Sequence, residues 1–275
     1  MSFLFYLKVQ LFDVVKVMTF DENIVSNFST WKFPPKYEFL RELGKQFEKI
    51  LNDAKHASDD SCDSIRLMNS YLYSYPIMVR YFEEEKLSKM NEKDLVGALF
   101  MVYGWMPTTL RLNSGEKVDY RKLADVLAFL PKLQEADTED IWQEVEDDLK
   151  KTTRRKKGAN AKKGNLQTLK DLLGGSVVGL SKLLHFVNPS VFPIYDSKIA
   201  TVLNKHFTSV RTYIEYAKWF EAVGRGFSCK EGACEEDSDW QRMFEATVKS
   251  FENEFDCKIT LVRAMELFLF LKGRK

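Results

Sequence analysis

Gly179-Leu180-Ser181-Lys182-Leu183-Leu184, followed by Phe192-Pro193-Ile194-Tyr195-Asp196-Ser197-Lys198-Ile199, is the stretch on which the reading of this chain turns. Gly179 reads as a small-residue turn opening a short apolar helix, with Lys182 in its first turn. A proline-containing loop follows, and Asp196 stands at the start of the next helix. Both side chains are therefore expected where a helix N-terminus meets a loop, within the partial positive charge of its unpaired amides. That field would make the lysine easier to deprotonate and would stabilise a carboxylate. An amine that attacks and a carboxylate that stabilises positive charge suit substitution at a sugar carbon.

The arrangement resembles the helix-hairpin-helix DNA glycosylases, in particular their bifunctional 8-oxoguanine glycosylase branch. Ser181-Lys182-Leu183-Leu184 matches the Thr/Ser-Lys pair and apolar run that begin the second helix of the family's hairpin, and Pro193-Ile194-Tyr195-Asp196 approximates its Pro-x-Asp segment. The similarity spans roughly residues 164 to 206. Val178 and Leu180 stand where the family usually carries glycines, four and two residues before the lysine. The resemblance implies an all-α fold of two helical lobes around a cleft, with Lys182 as nucleophile and Asp196 as the second catalytic group. It also implies DNA as partner, Gly179, Ser181 and His185 near the phosphates, and no metal or cofactor.

Read without the resemblance, these residues have ordinary explanations as well. Lys182 fits a surface position on an amphipathic helix, Asp196 fits an N-cap, and His185, one turn after Lys182, fits a core or capping role. A lysine in water has a pKa of about 10.4, so populating the neutral amine at pH 7 costs roughly 4.6 kcal/mol. Burial against Leu180, Leu183 and Phe186 would reduce that cost, whereas an anionic Asp196 nearby would raise it. Trp105, in Tyr103-Gly104-Trp105-Met106-Pro107, is expected at a helix end, as a core ring or as a stacking surface in a base pocket.

Working outward, the pattern is mostly helical, with no internal repeat and few segments of period two. Leu40, Leu43, Phe47, Ile50 and Leu51 repeat on one face after Pro34-Pro35. Asn91 with Asp94 predicts a capped helix through Met101, and Thr138 predicts the cap of a helix carrying Ile141, Val145 and Leu149. Later helices are predicted near 165–173, 180–187, 196–206, 209–222, 238–254 and 259–272. Residues 55–63 and 228–238, the latter with Glu235-Glu236-Asp237, read as solvated loops.

Lys150, Lys151, Arg154, Arg155, Lys156, Lys157, Lys162 and Lys163 form a basic segment just before the lysine-bearing stretch, with the acidic Glu144, Glu146, Asp147 and Asp148 ahead of it. Gly158, Asn160, Gly164 and Asn165 mark a loop there. Arg154, Arg155, Lys156 and Lys157 are the expected phosphate contacts, set against a solvated helix end whose lysines complement the macrodipole.

Composition constrains the rest. The chain has 275 residues, enough for a large core, with 21 Phe and 11 Tyr and a net charge of +1. Polyanion binding therefore rests on local clustering. Cys62, Cys229, Cys234 and Cys257 form no disulfide framework, and with three histidines they give no zinc signature. A Cys229–Cys234 bridge is weighed against free thiols in a reducing cytosol, the placement expected here. Residues 1–17 are apolar but interrupted by Lys8, Asp13 and Lys16; they read as an N-terminal extension to a helical domain over 18–275, with neither a spanning helix nor a signal layout. No obligate protein partner is implied. The reading is thus a DNA glycosylase with or without lyase activity; the alternatives are a non-catalytic helix-hairpin-helix DNA binder and a helical interaction protein.

Overall fold

The computed structural model describes residues 63–105, 120–135, 137–153, 163–228, 235–255 and 258–273, all within one compact unit, Lys36–Lys275. Among the described residues there is no strand, in agreement with the all-α expectation. The helices are α1 (Asp63–Glu84), α2 (Glu92–Trp105), α3 (Tyr120–Leu127), α4 (Leu130–Glu135), α5 (Thr138–Thr153), α6 (Asn165–Leu172), α7 (Val177–Val187), α8 (Ser197–Leu203), α9 (Val210–Ser228), α10 (Glu235–Phe255) and α11 (Leu261–Lys272). The boundary expected at residue 17, the helix expected over 40–51, residues 106–119 and all four cysteines lie outside the described residues.

α7 is the centre of this assembly. It packs against α1, α2, α4, α6 and α9, and Val177, Leu180, Leu183, Leu184, Phe186 and Val187 are all buried. A helix apolar on every side is stable only when surrounded, so α7 is a core helix and not an amphipathic surface helix. Phe186 anchors it: its ring lies 5.9 Å from Phe82 of α1 and 5.1 Å, edge-on, from Trp105 of α2. Each such buried ring contributes roughly 1.5–3 kcal/mol through burial.

Local capping explains several boundaries. Asn91 Oδ1 accepts from the amides of Lys93 (2.8 Å) and Asp94 (3.2 Å), as the sequence predicts for α2. For α5 the cap is Asp137, one residue earlier than expected: its Oδ1 accepts from Glu139 and Asp140, both at 3.1 Å, and Thr138 is the first helical residue. The acidic run Glu235-Glu236-Asp237, expected in a loop, instead opens α10. Carboxylates are favoured in a first turn because they face the positive end of the helix. α1 runs through Pro76, α9 continues to Ser228, and α8 stops at Leu203, where Asn204 adopts a left-handed conformation (φ 49°).

Candidate functional site

The hairpin leading to Lys182 is built differently from its sequence reading. α6 and α7 are joined by Leu173–Gly175, and the tight turn is made by Gly174 and Gly175, at φ 70° and 78°. Ser176 caps α7 by accepting from the Gly179 amide at 3.0 Å. Gly179 is thus the third residue of the helix, and Lys182 the sixth of eleven, beyond the first turn. A Cβ at 179 would overlap the hydroxyl of Tyr103, so glycine lets that ring approach the helix without shifting. The start of α6 is capped from afar: buried Asp148 on α5 accepts from the amides of Asn165 (2.7 Å) and Leu166 (2.9 Å).

The loop between α7 and α8 is fastened residue by residue. His185 Nδ1 lies 2.8 Å from the Phe192 carbonyl, Tyr213 donates to the Pro193 carbonyl (3.0 Å), and Tyr216 donates to the Ile194 carbonyl (3.1 Å). The Tyr195 amide donates to Ser181 Oγ (3.0 Å), while the Ser181 hydroxyl faces the carbonyls of Val178 (2.8 Å) and Tyr195 (3.1 Å). The Tyr195 hydroxyl donates to the Lys205 carbonyl (2.9 Å) and accepts from the Phe207 amide (2.8 Å). Asp196 then caps α8, its Oδ1 accepting from Lys198 (2.9 Å) and Ile199 (3.0 Å), which leaves Oδ2 for another partner.

His185 is wholly buried, and its protonation state follows from its partners. A carbonyl only accepts, so Nδ1 carries the proton, and Nε2 accepts from the Tyr75 hydroxyl at 3.0 Å. Burial and the neighbouring Arg263 charge push its pKa down to about 3, against the bond to Phe192. Gly179, Ser181 and His185 are all buried, and their polar groups are engaged internally. In these positions they shape the hairpin and the loop.

Lys182 and Asp196 are both half-buried, and the Asp196 charge acts on the Lys182 amine. The Lys182 amine lies 5.9 Å from the centre of the Trp105 ring, and that indole donates to Ser74 Oγ at 2.8 Å. Burial lowers the Lys182 pKa, opposed by the charges of Asp196 and Glu266 and assisted by Arg263. The cause is desolvation, not the helix end expected from the sequence. The amine makes no hydrogen bond or ion pair among the described residues.

The sequence reading passed over Arg263 and Glu266. They form a buried ion pair on α11, and Arg263 lies 4.4 Å from the centre of the Tyr75 ring. Two opposite charges at i,i+3 within Leu261-Val262-Arg263-Ala264-Met265-Glu266-Leu267-Phe268, an otherwise apolar run, were the available signal.

Arg154, Arg155, Lys156 and Lys157 lie outside the described residues. Of their neighbours, Lys150 pairs with Asp147 (2.9 Å) and Lys163 with Asp171 (2.5 Å). Among the described residues, no group of three His, Cys, Asp or Glu side chains is placed to hold a metal, and no helix is long and apolar enough to cross a membrane. No family model, curated protein or solved structure matches the chain.

Proposed function

We propose that the chain is a DNA N-glycosylase in which Lys182 attacks the anomeric carbon of a damaged or modified nucleotide and Asp196 stabilises the positive charge that develops on the sugar. The observation that carries this reading is a lysine in the core helix α7, desolvated, without an acceptor among the described residues, facing Trp105 and within the field of Asp196. A lowered pKa is what a nucleophilic amine needs, and desolvation supplies it at Lys182.

The chemistry follows from those groups. The Lys182 lone pair forms a bond to C1′ as the glycosidic bond breaks, and the departing base takes the bonding electrons and a proton. The attached amine loses a proton, and opening of the sugar ring gives an imine whose protonated form borohydride reduces to a stable amine. Asp196 Oδ2 is the oxygen that would face the sugar, since Oδ1 is committed to α8. Trp105 would offer a face to the extruded base, and Arg154, Arg155, Lys156 and Lys157 would hold phosphates. Covalent trapping on lesion-bearing oligonucleotides, lost in Lys182→Gln, tests the proposal.

One observation favours a non-catalytic reading: the Asp196 cap is complete in itself. Asp196→Asn separates the two, because asparagine caps nearly as well but carries no charge. Unchanged base release in that variant would leave Asp196 a structural residue.

A further inference from the structure

α11 carries an expensive feature. Arg263 and Glu266 are 5 % and 2 % exposed and pair with each other across one turn. A buried ion pair is seldom more stabilising than apolar side chains of the same volume, so its presence in a helix core calls for another role.

Its surroundings point to that role. Arg263 lies against Tyr75, whose ring centre is 6.4 Å from that of Trp105, and Trp105 faces the Lys182 amine. α11 packs against α8, which begins at the Asp196 cap, and against α9, which carries Tyr213 and Tyr216. Arg263, Asp196 and Lys182 all act on Glu266, and Glu266 acts on the hydroxyls of Tyr213 and Tyr216. The charges that act on Lys182 are Asp196, Glu266 and Arg263. Lys182 and Glu266 share no hydrogen bond, so any influence between them acts through the field.

We propose that Glu266, clamped by Arg263, is a positioning residue for Lys182: the buried pair sets how much negative charge faces the amine, and with it the pH range in which that amine attacks an electrophilic carbon. This rests on Lys182 as the reacting amine. Asp196 and an uncompensated Glu266 would together hold Lys182 as an ammonium, and the Arg263 guanidinium offsets part of that charge. Burial is the chief cause that pushes the Glu266 carboxyl up to about 7, so its charge changes in the neutral range.

The test reads the amine without DNA. The full-length parent, Glu266→Gln and the double variant Arg263→Met/Glu266→Gln are labelled with cyanate across a pH series. Carbamylation of the peptide bearing Lys182 is followed by mass spectrometry, with exposed Lys93 as internal control. The half-maximal rate at Lys182 is expected at lower pH in Glu266→Gln, and at higher pH again in the double variant, which removes the remaining buried cation. Lys93 stays unchanged. Should Glu266→Gln not fold, Glu266→Asp, which keeps the charge one methylene further back, is expected to shift the same way by less. An unmoved midpoint in the Glu266 variants, or a double variant no higher than Glu266→Gln, overturns the proposal. Midpoints that move as expected in a protein that traps on no lesion would uphold it while removing the glycosylase reading.

Discussion

Ser181 Oγ accepts the Tyr195 amide at 3.0 Å, and the residues that follow these two partners are Lys182 and Asp196. One buried hydrogen bond thus ties the helix that carries the amine to the loop that delivers the carboxylate. His185, Tyr213 and Tyr216 hold the three preceding carbonyls of that loop, so Asp196 is reached along a fixed path.

Ser181→Ala removes the acceptor and leaves a buried amide without a partner. The expected cost is about 1–3 kcal/mol of folding stability, measured by urea denaturation. A midpoint equal to the parent's would show that the bond does not hold the loop.

Gly179→Ala forces a methyl against the Tyr103 hydroxyl and is expected to destabilise by about 1–3 kcal/mol. That hydroxyl has no hydrogen-bond partner among the described residues, so Tyr103→Phe alone should cost little. In the Tyr103→Phe background, Gly179→Ala should be milder, so that the double variant costs less than the sum of the single ones in a double-mutant cycle. Additive effects would place the pressure on Gly179 elsewhere.

Acid should act through two buried groups of opposite sign. His185, at about 3 in the folded state against 6.5 unfolded, loses stability as pH falls from 6.5 towards 3, because only the unfolded chain takes up the proton. Glu266, raised to about 7, gains stability as pH falls from 7 towards 4.5. Glu266→Gln deletes the gain, so between pH 7 and 5 its stability should fall more steeply than the parent's. Parallel stability curves would mean that Glu266 does not titrate there.

Charge removal in the basic segment should read out in salt dependence. Replacing Arg154, Arg155, Lys156 and Lys157 by neutral residues is expected to weaken DNA binding and to flatten the slope of log affinity against log salt by up to about 0.9 per lost contact. An unchanged slope assigns those charges to solubility.

The all-helical class was legible because periodicity and capping are local: Asn91 with Asp94 started α2 where expected, and α6 and α11 lay close to their predicted spans. The cap made by Asp196 at the start of α8 was legible as a carboxylate following a proline loop. The start of α7 was not, because Gly179 looks like a turn until the Tyr103 hydroxyl is seen against it, while the actual turn is Gly174-Gly175. Nor was the source of the shift at Lys182, since desolvation in a core helix and a charge pair on α11, far along the chain, leave no local pattern. Asp148 capping α6 from α5 is long-range in the same way.

The central claim is that Lys182 is a nucleophile and Asp196 its electrostatic partner. Borohydride trapping on a panel of lesion-bearing duplexes, with the parent, Lys182→Gln and Asp196→Asn side by side, tests it most directly. The predicted result is a covalent adduct with the parent on at least one lesion, none with Lys182→Gln despite retained DNA binding, and slower base release with Asp196→Asn at near-parent stability. Both variants matching the parent on every lesion would contradict the account.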